Sequence, residues 1–93
     1  MKTIRQQIMD CLLEGPLSGV EISQALGIKE KEVYDHLPYV AQSVIGQGKR
    51  FLLYPANCLS CGYVFKKRKR FTRPSRCPLC RATHLQRPTY EIL

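Results

Sequence analysis

Apolar side chains recur at helical spacing through the first half of the chain. Ile4, Ile8, Cys11 and Leu12 share one face, Thr3 with Gln6 three residues on has the form of a capping box, and Gly15-Pro16 stops the run. The pattern predicts a first helix over residues 4–14, with Cys11 as a small core residue. A second, two-turn helix starts at Ser18 or Gly19, places Val20, Ile22, Ala25 and Leu26 on its apolar positions, and ends at Gly27, a residue suited to a left-handed turn. Ile28 packs under that turn. Val33, Leu37, Val40 and Val44 then repeat as the stripe of a third helix reaching about Ile45. Pro38 lies inside this stripe and opposes the carbonyl of Tyr34, so a kinked helix is expected there. Gly46 and Gly48 end it.

The pattern then changes period. Phe51-Leu52-Leu53-Tyr54 is a short β-rich run closed by Pro55, and residues 90–93, Tyr-Glu-Ile-Leu, form a second. Lone strands are unstable, so these two are expected to pair antiparallel. Everything between them then becomes an excursion from one hairpin. The expected organisation is a helical unit of residues 1–55 and 88–93, with residues 56–87 inserted.

That insert carries the chemistry. Cys58 and Cys61 are followed after fifteen residues by Cys77 and Cys80, two Cys-x-x-Cys pairs at the spacing of a zinc ribbon. Gly62 after the first pair and Pro78 inside the second suit the turns of such knuckles. Four thiolates complete a tetrahedral shell and leave no open position for water or substrate, so the ion makes structure rather than acting as a Lewis acid. Iron fits the same four sulfurs; zinc is the favoured ion. Disulfides would require an oxidising compartment, and the amphipathic, charge-interrupted stretch from Met1 to Glu14 has no apolar signal core, so a cytoplasmic protein is expected. In a chain of 93 residues, which buries only roughly 60 to 65 per cent of its surface, a metal worth on the order of 10 to 16 kcal/mol of apparent binding energy is a major part of folding. Oxidation of the thiols with zinc release is a further option, although closed sites are usually structural.

Charge divides the chain as the periodicity does. Residues 1–35 carry Lys2, Arg5, Lys29 and Lys31 against six acids, a net −2. Residues 36–90 contain no acid and eleven basic residues: Lys49, Arg50, Lys66, Lys67, Arg68, Lys69, Arg70, Arg73, Arg76, Arg81 and Arg87. One divalent ion with four thiolates subtracts two charges, and the second half stays strongly cationic. That is the footprint of a nucleic-acid-binding surface. The run Lys66 to Arg70, followed by Arg73 and Arg76, lies between the knuckles and is bracketed by Tyr63, Phe65 and Phe71. Its cations suit phosphates, while its rings serve either to stack on unpaired bases or to cover the metal. No apolar stretch approaches the roughly 20 residues that span a bilayer, so no membrane partner is expected. His36 and His84 have no nucleophile or acid–base partner in a recognised pattern, and an enzyme is not expected.

Residues 17–37, Leu-Ser-Gly-Val-Glu-Ile-Ser-Gln-Ala-Leu-Gly-Ile-Lys-Glu-Lys-Glu-Val-Tyr-Asp-His-Leu, read as helix, glycine turn, helix. Through Ile22, Ala25, Leu26, Gly27, Ile28, Val33 and Leu37 this unit resembles the winged helix-turn-helix of prokaryotic transcription regulators. With residues 50–61 and the Pro-Ser-Arg-Cys-Pro-Leu-Cys run at 74–80, the chain resembles predicted archaeal and bacterial regulators in which a winged helix carries a rubredoxin-like zinc ribbon. The resemblance implies an α+β fold, a three-helix winged helix-turn-helix with a four-cysteine zinc ribbon inserted in the wing between two antiparallel strands. It also implies binding of double-stranded DNA, with the helix after the turn in the major groove. Lys29, Lys31, Tyr34 and Asp35 would then face outward, with Lys49, Arg50 and the ribbon cations near the backbone. Lys29 stands where a capping Ser or Thr is usual, and Glu30, Glu32 and Asp35 repel phosphates, so weak sequence preference is expected. RNA and a protein partner are the alternatives. A homodimer is compatible with the pattern, though no long heptad stripe demands one.

Overall fold

The computed structural model describes residues 1–66 and 70–93. Helix α1, Ile4–Glu14, begins with the expected capping box: the Gln6 amide donates to Thr3 Oγ1 at 3.2 Å and the Thr3 amide to Gln6 Oε1 at 3.0 Å. It buries Ile8 and Leu12. Cys11, expected in the core, is only half-buried at its edge, because the stripe turns it toward the rim.

Strand β1 is Leu17–Ser18, where the sequence pattern places the start of the second helix. Ser18 is also the cap of helix α2, Gly19–Leu26, in a second reciprocal box: the Glu21 amide donates to Ser18 Oγ at 3.2 Å and the Ser18 amide to Glu21 Oε1 at 3.0 Å. Ile22 is buried, whereas Ala25, assigned to the apolar face, is exposed. Gly27 ends α2 in the left-handed region, at φ 68°. Helix α3, Glu30–Gly46, buries Val33, Leu37, Val40 and Val44 and runs on through Pro38, which faces solvent. Its cap, Lys29, offers no side-chain hydrogen bond, as a lysine at that position must.

Beyond α3 come β2 (Phe51–Tyr54), β3 (Asn57–Cys58), β4 (Leu85–Gln86) and β5 (Thr89–Ile92). Strand β5 lies between β1 and β2 and is antiparallel to both. Its register against β2 pairs Phe51 with Ile92 and Tyr54 with Thr89, and reciprocal bonds between Arg50 and Leu93 extend the ladder. Residues 55–88 therefore leave and re-enter one antiparallel pair. Strands β3 and β4 form a separate two-stranded ladder at the root of this excursion.

Tyr90 and Ile92 of β5 are buried with Ile8, Leu12, Ile22 and the α3 stripe. Each such side chain stabilises the fold by roughly 1.5–3 kcal/mol on leaving water, so the last strand is part of the helical core. Phe71, on the far side of the basic run, packs on the same cluster: its ring meets Phe51 edge-on at 5.7 Å between centroids and lies 6.1 Å from Tyr90. The Tyr90 hydroxyl donates to the Phe71 carbonyl. No described helix is long and apolar enough to cross a membrane.

Candidate metal centre and basic surface

Each cysteine pair sits on a turn built the same way. The Cys58 amide donates to the Tyr63 carbonyl at 2.7 Å and the Gly62 amide to the Cys58 carbonyl at 2.9 Å; the Cys77 amide donates to Ala82 and the Arg81 amide to Cys77, both at 2.9 Å. Gly62 at φ 82° and Arg81 at φ 61° hold matching left-handed positions. The first is a glycine, as that conformation favours, whereas Arg81 adopts it at a steric cost of about 1 kcal/mol.

These turns bring all four sulfurs within 4.8 Å of one another, with Cys58 and Cys80 at 3.5 Å and Cys61 and Cys77 at 3.6 Å. A tetrahedron of sulfurs at about 2.3 Å from zinc has edges of about 3.8 Å, close to these two separations, so the donor set suits the ion. Burial opposes ionisation of Cys58 and Cys77. The amides of Cys61 and Ser60 at the first, and of Cys80 and Leu79 at the second, together with neighbouring thiols, outweigh it and lower both, Cys58 to about 6. Cys61 receives one such amide, from Tyr63, which is outweighed by burial and by the other thiols, and it is pushed up to about 12. Cys80 is raised for related reasons: the Ala82 amide lowers it, but its thiol contact with Cys58 and its burial prevail. Four thiols this close cannot all ionise unless a cation joins them. These four cysteines hold one structural zinc ion.

The basic residues fall into three groups. Lys29, Lys31, Lys49, Arg50, Lys66, Arg70 and Arg76 are exposed, as a phosphate-binding role requires. Lys67, Arg68 and Lys69, also assigned to that role, lie outside the described residues. Arg73 is exposed but engaged: its Nε donates to Glu30 Oε2 at 3.0 Å, tying the return from the basic run to the first turn of α3. Half-exposed at both ends, this pair contributes at most about 1 kcal/mol.

Tyr34 corrects the sequence reading. Expected to face outward, it is half-buried with its hydroxyl donating to Glu30 Oε2 at 2.5 Å, and its ring lies over Gly19. A Cβ on Gly19 would come within 2.5 Å of Tyr34 Cε1. Burial first, and then the hydrogen bond to Glu30, push the Tyr34 hydroxyl well above its ordinary range. Gly19, Tyr34, Glu30 and Arg73 thus form one stack joining α2, α3 and the insert. Neither predicted role of the aromatics fits Phe71, which belongs to the helical core, while Phe65 is buried edge-on to Tyr63 at 5.0 Å. His36 is satisfied at the edge of α3, where Nδ1 accepts from Arg5 Nε at 3.2 Å.

Residues 3–52 match the protein family described as PF0610-like, N-terminal, and residues 55–92 match the PF0610 rubredoxin-like zinc beta-ribbon domain. Among solved structures, the chain is similar to the solution NMR structure of protein PF0610 from Pyrococcus furiosus. Identity is 29%, with a TM-score of 0.80, over 97% of this chain and 88% of that one. No curated protein matches the sequence.

Proposed function

We propose that this chain, which belongs to the PF0610-like family with a rubredoxin-like zinc ribbon, is a cytoplasmic, DNA-binding transcription regulator. The observation that carries this reading is the zinc-held insert itself: residues 56–87 have nine basic side chains and no acid, and the described ones are exposed, with Arg73 also paired to Glu30. Cations at that density neutralise phosphates and release counterions whatever the base sequence. Three helices with β2 and β5 beside them fit a winged helix in which α2, the Gly27 turn and α3 form the helix-turn-helix, with the ribbon carried in the wing. The start of α3 offers Lys29 and Lys31 among Glu30, Glu32 and Asp35, so base readout is weak and backbone contact dominates.

Single-stranded RNA is less favoured than duplex DNA, because Phe65 and Phe71 are packed away and leave few rings for stacking. A protein-interaction role draws support from Leu59 and Leu79, exposed apolar tips of the two knuckles. Fluorescence anisotropy at fixed low salt, comparing a labelled duplex with a single-stranded RNA of equal length, tests the ranking. The duplex is expected to bind more tightly. Negligible affinity for both would end the nucleic-acid reading.

A further inference from the structure

A cleft of about 470 Å³ opens between the helical half and the ribbon, walled by α2, by Arg73-Pro74 and by the chain around β4. Its volume is that of a small-molecule site, for which roughly 300–1,000 Å³ is usual. Three basic side chains, Arg73, His84 and Arg87, line it, and Leu59 and Leu85 supply apolar wall. Its one acid, Glu21, is engaged in capping α2. Among the described residues, the side chains of Arg87 and His84 have no hydrogen-bond or ion-pair partner, the His84 carbonyl alone accepting from the Leu59 amide at 3.0 Å, and Arg73 gives Glu30 a single contact of its five donors. Guanidinium forks unpaired in a concave site match a phosphate group in both charge and geometry.

We propose that this cleft binds the phosphate of a nucleotide, with Arg87, His84 and Arg73 around the phosphate and Leu59 and Leu85 beneath the rest of the ligand. Arg73 belongs both to the cleft and to the pair with Glu30. An incoming phosphate therefore shares the guanidinium with Glu30 through its remaining donors, and occupancy is felt at the first turn of α3. The phosphate comes either from a free nucleotide or from a nucleic-acid strand. The site does not depend on duplex binding elsewhere, because its test reads the cleft directly.

The zinc-loaded full chain is titrated with inorganic phosphate, with AMP and with a short single-stranded oligonucleotide, following amide signals by two-dimensional NMR. Shifts are expected at residues 18–21, 73 and 83–89. Response to AMP and not to the oligonucleotide identifies a free nucleotide as the source, and the reverse identifies a strand; either upholds the phosphate site. Arg87→Ala should weaken AMP binding roughly tenfold, the loss of one charge-assisted contact. Arg81→Ala removes the same charge outside the cleft and should leave binding within about twofold. Absence of shifts at the cleft overturns the proposal, as does equal weakening by the two substitutions.

Discussion

Replacing Gly19 with alanine adds one methyl group where the Tyr34 ring already lies. The new Cβ would sit 2.5 Å from Cε1 and 2.8 Å from both Cζ and the hydroxyl oxygen. No carbon pair tolerates those distances, so either α2 or the ring must move. Overpacking of this kind costs about 1–3 kcal/mol. If the ring swings away, its bond to Glu30 is lost, which for a half-exposed group is worth about 1 kcal/mol. Alanine offsets part of this through its helical preference over glycine, about 0.5–1 kcal/mol. The net expectation is a destabilisation of about 1–2 kcal/mol, or a fall in melting temperature of about 5–15 °C for a domain of this size. Chemical and thermal denaturation of the zinc-loaded protein measure it. Gly46→Ala is the control, since an added Cβ there meets nothing within 4 Å, and it should be neutral or slightly stabilising. Combining Gly19→Ala with Tyr34→Leu should recover part of the loss. A Gly19→Ala protein as stable as the parent would refute the stack of Gly19, Tyr34, Glu30 and Arg73.

The same stack makes stability sensitive to alkali. The folded Tyr34 hydroxyl ionises above its unfolded value of 10.0, so its contribution is complete below pH 10 and is lost as pH rises beyond it; Tyr34→Phe should flatten that loss in pH-dependent denaturation. Arg81→Gly relieves a left-handed residue, and after the entropy of an added glycine it should leave stability unchanged or raise it by up to about 1 kcal/mol; a fall of that size would show that the Arg81 side chain holds the knuckle. Cys77→Ser opens the metal shell, and cobalt substitution should then lose the intense thiolate bands of a four-sulfur site. Amide protection should fall first across residues 57–58 and 85–86, since the β3–β4 ladder lies beside the metal. Retention of both the bands and the protection would mean that the fourth sulfur is dispensable.

Helices were legible because each buries one face. Ile8, Leu12, Val33, Leu37, Val40 and Val44 are buried as their periodicity requires, and the Thr3–Gln6 box was readable from residue types alone. The cysteine spacing carried the metal centre for a similar reason, since two short turns constrain the sulfurs locally. The Ser18–Glu21 box has the same form as Thr3–Gln6 and is legible in the same way, from residue types three positions apart. Strand β1 had no periodicity to show, because two residues become a strand only when β5 arrives from the other end of the chain. Tyr34 lies on the flank of the α3 stripe, and the helix-turn-helix resemblance turned it outward. It is half-buried because Gly19 lacks a side chain, which is a contact between two helices. Phe71 likewise looked like part of the basic loop until Phe51 and Tyr90 gave it a place in the helical core. The cleft lined by Arg87 and His84 exists only once the ribbon docks.

Because the insert is held both by the metal and by Phe71 and Arg73, its basic surface should depend on zinc. The most direct measurement is duplex affinity across a salt series, before and after zinc is removed by chelation. Neutralising about five phosphates gives a slope of roughly −4.5 in log affinity against log salt for the loaded protein. A weaker affinity and a shallower slope are predicted for the metal-free protein. Salt-independent binding, or an affinity and slope unchanged by loss of zinc, would contradict the account.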